Sequence, residues 1–211
     1  MAKKRHPGPP KDPRALEKTF RDIFRSVQQQ NLSSKEEIQN YVASLQGKVA
    51  PSFLPSMPLE AAQDLIYEAW DKAEGESRLR LAKQALELSA DCADAYVILA
   101  EGSPNLKKAL QYYQRGVEAG ERALGQDFFK EHTGHFWGHI ESRPYMRARA
   151  GLAQCLWGDG KHEEALGHFR EMLRLNPNDN QGIRCVLASC LAKLARFEEL
   201  SDFEYQKRNE T

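Results

Sequence analysis

From Leu152 to Leu173 the apolar residues recur at helical spacing. Leu152, Leu156 and Trp157 fall on one face, and Ala165, Leu166, Phe169, Met172 and Leu173 fall on another. Asp159-Gly160 separates the two runs with a turn. Asn176-Pro177 stops the second, because the residue before a proline resists the helical conformation. The stretch therefore predicts a helical hairpin. A second pair precedes it: Ala93, Tyr96, Val97 and Ala100 share a face of one helix, and Ala109, Tyr113 and Gly116 share a face of the next. A third follows, with Leu187, Ala188, Leu191, Phe197 and Leu200 in equivalent places. Upstream, the runs 59–73, entered through Pro58, and 77–91 read as a degenerate first pair. Ala15–Gln30 and Ser34–Gln46 read as two further helices, with Ser33 and Glu36 in a capping-box pattern. No alternating segment suggests a strand, so the chain is expected to be all-α.

The step from Ala165 to Leu200 is 35 residues, close to the ~34-residue period of a common helical repeat. The step from Ala109 to Ala165 is 56, a surplus of about 22 over that period, and the extra residues must lie between Gly116 and Tyr145. The organisation that follows is a basic tail at 1–13, expected to be disordered, and a helical pair at 14–50. A Pro-rich linker at 51–58 leads to a repeat domain at 59–200 with an insertion at about 118–144, and a polar tail occupies 201–211.

The small–aromatic–packing–proline series Ala165, Phe169, Met172 and Pro177, with Gly160 in the turn, resembles the tetratricopeptide repeat. Longer strings go further. DCADAYVILAE, GHFWG followed by ESRPYMRARAGLAQCLW, and LRLNPNDNQGIR together are similar to a group of bacterial tetratricopeptide proteins. That group is itself related to the suppressor-of-tumorigenicity 7 family. The resemblance covers roughly 58–198. It implies a tetratricopeptide-type solenoid of stacked helical hairpins with an N-terminal helical extension, and it carries no settled activity. The chain departs from the pattern after the third unit, where it turns polar and stops.

Composition adds few constraints. Of 211 residues 41% are hydrophobic and 28% charged, the make-up of a globular protein. Lysine plus arginine equals aspartate plus glutamate at 30 each, so no net field favours nucleic acid. The basic run Lys3-Lys4-Arg5 gives little phosphate attraction beside a neutral body. No apolar run is long enough to span a membrane or to form a secretory leader. Cys92, Cys155, Cys185 and Cys190 form neither a CxxC pair nor a disulfide framework, which fits a reduced, cytoplasmic setting with cysteines serving as small apolar residues.

Chemistry could reside in two places. His132, His135 and His139, with Glu141, have i, i+3, i+7 spacing and are the candidate metal ligands. Gly134 and Gly138 weaken the helix that this spacing requires. The plainer reading has His135 bonded to backbone and the other two solvated, with Phe136-Trp137 anchoring the insertion. The second place is the groove that the repeat resemblance implies, which the first helix of each hairpin lines. There Arg147, Ala150 and Gln154 face Asp91, Asp94 and Ile98 of one neighbouring unit and Gly182, Cys185 and Ser189 of the other. An internal ion pair of Arg147 with Asp91 or Asp94 is the alternative to ligand binding at this point. The lysine–asparagine clamp with which some of these repeats hold a terminal carboxylate is missing from all three units. No phosphate loop, HExxH or nucleophile elbow occurs, and no catalysis or cofactor is expected. The expected function is a protein- or peptide-binding scaffold, with partner contacts at Asp94, Trp137, Glu141, Arg143, Arg147, Gln154 and Trp157.

Overall fold

The computed structural model describes residues 12–46, 51–71 and 75–201. The tail 1–11, and residues 202–211 of the C-terminal tail, lie outside them. Among the described residues the chain is all-α, as the periodicity predicts. The helices are α1 (Leu16–Gln29), α2 (Lys35–Ser44), α3 (Pro58–Asp71), α4 (Glu76–Leu88), α5 (Ala93–Glu101), α6 (Leu106–His132), α7 (Arg143–Gly158), α8 (His162–Leu175) and α9 (Ile183–Lys193). A further helical turn occupies 197–201.

Consecutive helices pack as hairpins, α3 with α4, α5 with α6 and α7 with α8, and each hairpin packs on the next. Two apolar cores result. Ile66, Tyr67, Trp70, Ala82, Ala85 and Ile98 fill one, between α3, α4 and α5. Phe136, Tyr145, Met146, Leu152, Leu166, Phe169, Met172 and Leu187 dominate the other. Cys92 and Cys190 are buried and Cys155 half-buried, but Cys185 is exposed, so that cysteine does not serve as a core residue. Phe197, expected to pack in the third unit, is also exposed.

Local signals act with small shifts from the expected positions. The capping box belongs to Ser34 and Glu37, one residue later than Ser33 and Glu36: Ser34 has the extended backbone a cap requires, and its hydroxyl accepts from the Glu37 amide at 3.1 Å. Asp179 caps α9 from outside, accepting from the amides of Ile183 and Arg184 at 2.6 and 3.0 Å. The residues expected to form an insertion at about 118–144 lie between the second and third hairpins. They prolong α6 through His132, with a break at Gly125, whose φ of 73° suits glycine. Two short 3-10 turns, Phe136–Gly138 and Ile140–Ser142, then return the chain to α7.

Helix α1 is oriented unusually. Leu16, Phe20, Ile23, Phe24 and Val27 form one apolar stripe, which in most amphipathic helices faces a core. Here Leu16, Phe20 and Phe24 are 41%, 50% and 62% exposed, whereas Glu17, Asp22 and Ser26 of the polar side are buried. Val27 is the buried apolar residue of the helix.

Candidate functional site

The polar side of α1 lies against side chains from α3 and α7, and α5 supports them from behind. At the centre is Arg147 of α7. Its Nε and Nη2 donate to both carboxylate oxygens of Asp94 on α5, at 2.8 and 2.6 Å. Its Nη1 and Nη2 donate to both oxygens of Glu17, at 2.9 and 3.0 Å. One guanidinium thus holds two carboxylates bidentately, the arrangement its planar fork favours. Arg143, one turn earlier on α7, approaches Glu17 at 3.3 Å and donates from Nε to the Trp137 carbonyl. Asp94 is fully buried, 0% exposed, and also accepts from Gln63 Nε2 at 2.9 Å. Arg147 and Arg14 both lie over the buried Trp70 ring, at 5.1 and 4.5 Å from its centroid, a favourable cation–π geometry. Burial opposes the charge on Arg147, but Asp94 and Glu17 outweigh it and hold its pKa above the ordinary arginine value. Beside it, burial pushes the Cys92 thiol up to about 12.

A second set of contacts of opposite sign continues along α1. Lys18 and Arg21 pair with Asp64 of α3 at 2.9 and 2.5 Å, and Arg25 pairs with Glu60. Arg14 bridges to Glu101 at 2.9 Å. The α3–α5–α7 face is therefore bipolar: cationic where Arg143 and Arg147 meet Glu17, anionic where Asp64 and Glu60 meet the bases of α1. A cavity of about 470 Å³ opens at the edge of α1, lined in part by Arg21, Arg25, Gln63, Tyr67, His139 and Glu141.

The structure brings Asp94, Arg143, Arg147 and Trp137 together. The alternative of an internal ion pair is realised with Asp94 rather than Asp91, which pairs with Arg122 at 2.8 Å. Trp137 stacks under Arg143 at 5.3 Å. Glu141 is exposed at the cavity rim. Gln154 is exposed two turns beyond Arg147 on α7. Trp157 belongs elsewhere, because its ring stacks on His162 of its own hairpin at 4.3 Å. Glu17, Gln63 and Trp70 were not among the expected site residues. Repeat register relates neighbouring hairpins and says nothing of a helix 130 positions away.

The histidines do not form a ligand set. His132 and His139 stack ring to ring at 4.1 Å against Phe128, so they are packed rather than solvated, and His135 is exposed. Among the described residues no three His, Cys, Asp or Glu side chains are placed to hold a metal ion. Phe136 does anchor this segment, fully buried against Phe128, Phe129 and Tyr145. Among the described residues no helix is long and apolar enough to cross a membrane.

Comparison with known proteins places the chain in a family. The family model described as ST7 protein matches residues 33–187. A chicken protein named suppressor of tumorigenicity 7 protein-like is 29% identical over 190 residues, covering 81% of this chain and 34% of that protein. The Drosophila melanogaster ST7 homolog is 25% identical over 204 residues, covering 85% and 37%. The human suppressor of tumorigenicity 7 protein-like is 25% identical over 167 residues, covering 74% and 29%. The chain thus spans about a third of the length of these curated relatives.

Proposed function

The chain belongs to the ST7 protein family, and from that premise and the site geometry we propose that it is a non-catalytic, tetratricopeptide-type scaffold that binds protein helices or peptides. The stacked hairpins, the close α6–α7 approach through small residues and the Ala165–Phe169–Met172–Pro177 series support the repeat assignment. One observation carries the binding role: the face made by the first helices of three hairpins, α3, α5 and α7, already holds a helix, by side chains of α3 and α7, with Asp94 of α5 bracing Arg147 from behind. Helix-in-groove recognition is a standard use of such surfaces. An aqueous, reduced compartment suits the four free cysteines.

The test is affinity capture by the full chain from its native source, comparing wild type with Arg143→Glu. Arg143 sits at the rim of the site, so its reversal spares the buried Asp94–Arg147 pair. Proteins captured by wild type and lost with Arg143→Glu are the expected result. Identical partner lists for the two would refute the assignment of the binding face.

A further inference from the structure

The occupant of the α3–α5–α7 face is part of the chain itself, and the way it is held defines what else fits there. Every side-chain bond from α1 to α3 or α7 is an ion pair: Glu17 with Arg143 and Arg147, Lys18 and Arg21 with Asp64, and Arg25 with Glu60. Most of the apolar stripe that would make α1 an integral core helix faces away, with Leu16, Phe20 and Phe24 exposed and Val27 alone of the stripe buried. Attachment of this kind is sensitive to salt and can be matched by another helix bearing the same charges. When α1 lifts, the face keeps Asp94 but loses Glu17, which leaves Arg143 and Arg147 with one carboxylate between them. Asp64 and Glu60 lose three cations at the same moment. The vacated face is cationic toward α7 and anionic along α3.

We propose that α1 is an internal stand-in for a partner helix, and that the α3–α5–α7 face binds in trans a helix with one carboxylate followed, on the same face, by two or three basic residues at one-turn spacing. In α1 that series is Glu17, Lys18, Arg21 and Arg25, and the buried Asp22 between them pairs with Lys18 and Arg21 of its own helix rather than with the face. Glu17 answers Arg143 and Arg147, and the bases answer Asp64 and Glu60. The partner competes with α1, so its apparent affinity is lowered by the fraction of time α1 is seated. Displaced α1 would then present Leu16, Phe20, Ile23, Phe24 and Val27 as a free apolar face. This inference rests on the binding role proposed above and names the chemistry of the partner.

The probe is a fluorescent peptide of residues 12–30, titrated by anisotropy into two full-length proteins. One is wild type; the other carries Glu17→Lys, Lys18→Glu, Arg21→Glu and Arg25→Glu, all within α1 and none in the face. The peptide is expected to bind the charge-reversed chain at least about tenfold more tightly than wild type. A peptide carrying Glu17→Lys should lose that binding, and one carrying Phe20→Ser and Phe24→Ser should keep it. Equal affinity for both proteins overturns the proposal, as does a peptide that depends on its phenylalanines and not on Glu17. If the charge-reversed chain does not fold, Glu17→Ala in its place gives the same comparison. Sedimentation of wild type should show a monomer; a dimer lost with Glu17→Lys would overturn the proposal in favour of α1 supplied by a second copy. Failure of the native-source capture with these peptide results intact would remove the scaffold role and leave the internal stand-in.

Discussion

Arg147 is the residue on which the site depends. It donates four hydrogen bonds to two carboxylates, one of them fully buried, and stacks over Trp70. Removing one partner from a buried ion cluster leaves uncompensated charge, which costs far more than an exposed pair is worth. Arg147→Ala should therefore destabilise the protein by about 3–5 kcal/mol, measured as a shift of the urea midpoint. Arg147→Lys should cost less while still losing the bidentate geometry. A loss for Arg147→Ala below about 1 kcal/mol would mean that Asp94 and Glu17 are solvated in solution. Half of this cluster is readable from the sequence. Repeat spacing sets Asp91 and Asp94 on the adjacent first helix near Arg147 and offers a pair with either as the alternative to ligand binding; it does not choose between them, and the pair forms with Asp94. Glu17 is not readable, because its contact is fixed by tertiary docking rather than by any period. The histidines show the opposite error: spacing suggests convergence, but Gly134 at φ 96° turns the backbone and sends His135 outward while His132 and His139 stack.

At the level of helices, the hairpins follow from hydrophobic periodicity and from turn chemistry at Asp159-Gly160. The course of residues 118–144 does not. Their excess over the repeat period marks extra length without saying that most of it continues α6. The aromatic cluster of Phe128, Phe129, Phe136 and Tyr145, a tertiary contact, packs the returning segment against the prolonged helix. The pairing of α6 with α7 rests on close approach. A Cβ at Gly151 would overlap the Tyr113 ring, and one at Gly120 would lie 2.7 Å from Tyr145 Cβ. Gly151→Ala raises helix propensity, yet it should destabilise by about 1–3 kcal/mol because Tyr113 and the two helices must shift. Thermal unfolding checks this; a stabilised Gly151→Ala would show that α6 and α7 separate more easily than their packing implies.

Across the whole molecule, the unusual feature is an amphipathic helix seated with its charges inward. The two apolar cores close without α1 apart from contacts near its start, so the hairpins do not depend on its stripe for burial. Its seat is instead an electrostatic match to a bipolar face. Little apolar burial and a charged seat are the character of elements with low local stability, the class from which moving parts are drawn. The family-model match spans α2 to the middle of α9 and leaves α1 outside the matched residues. Amide hydrogen exchange on the full chain, comparing wild type with Glu17→Lys, tests this account most directly. The account predicts that residues 16–29 lose protection in the variant while α3, α5 and α7 keep theirs. Undiminished protection of α1, or an equal loss across α5 and α7, would contradict it.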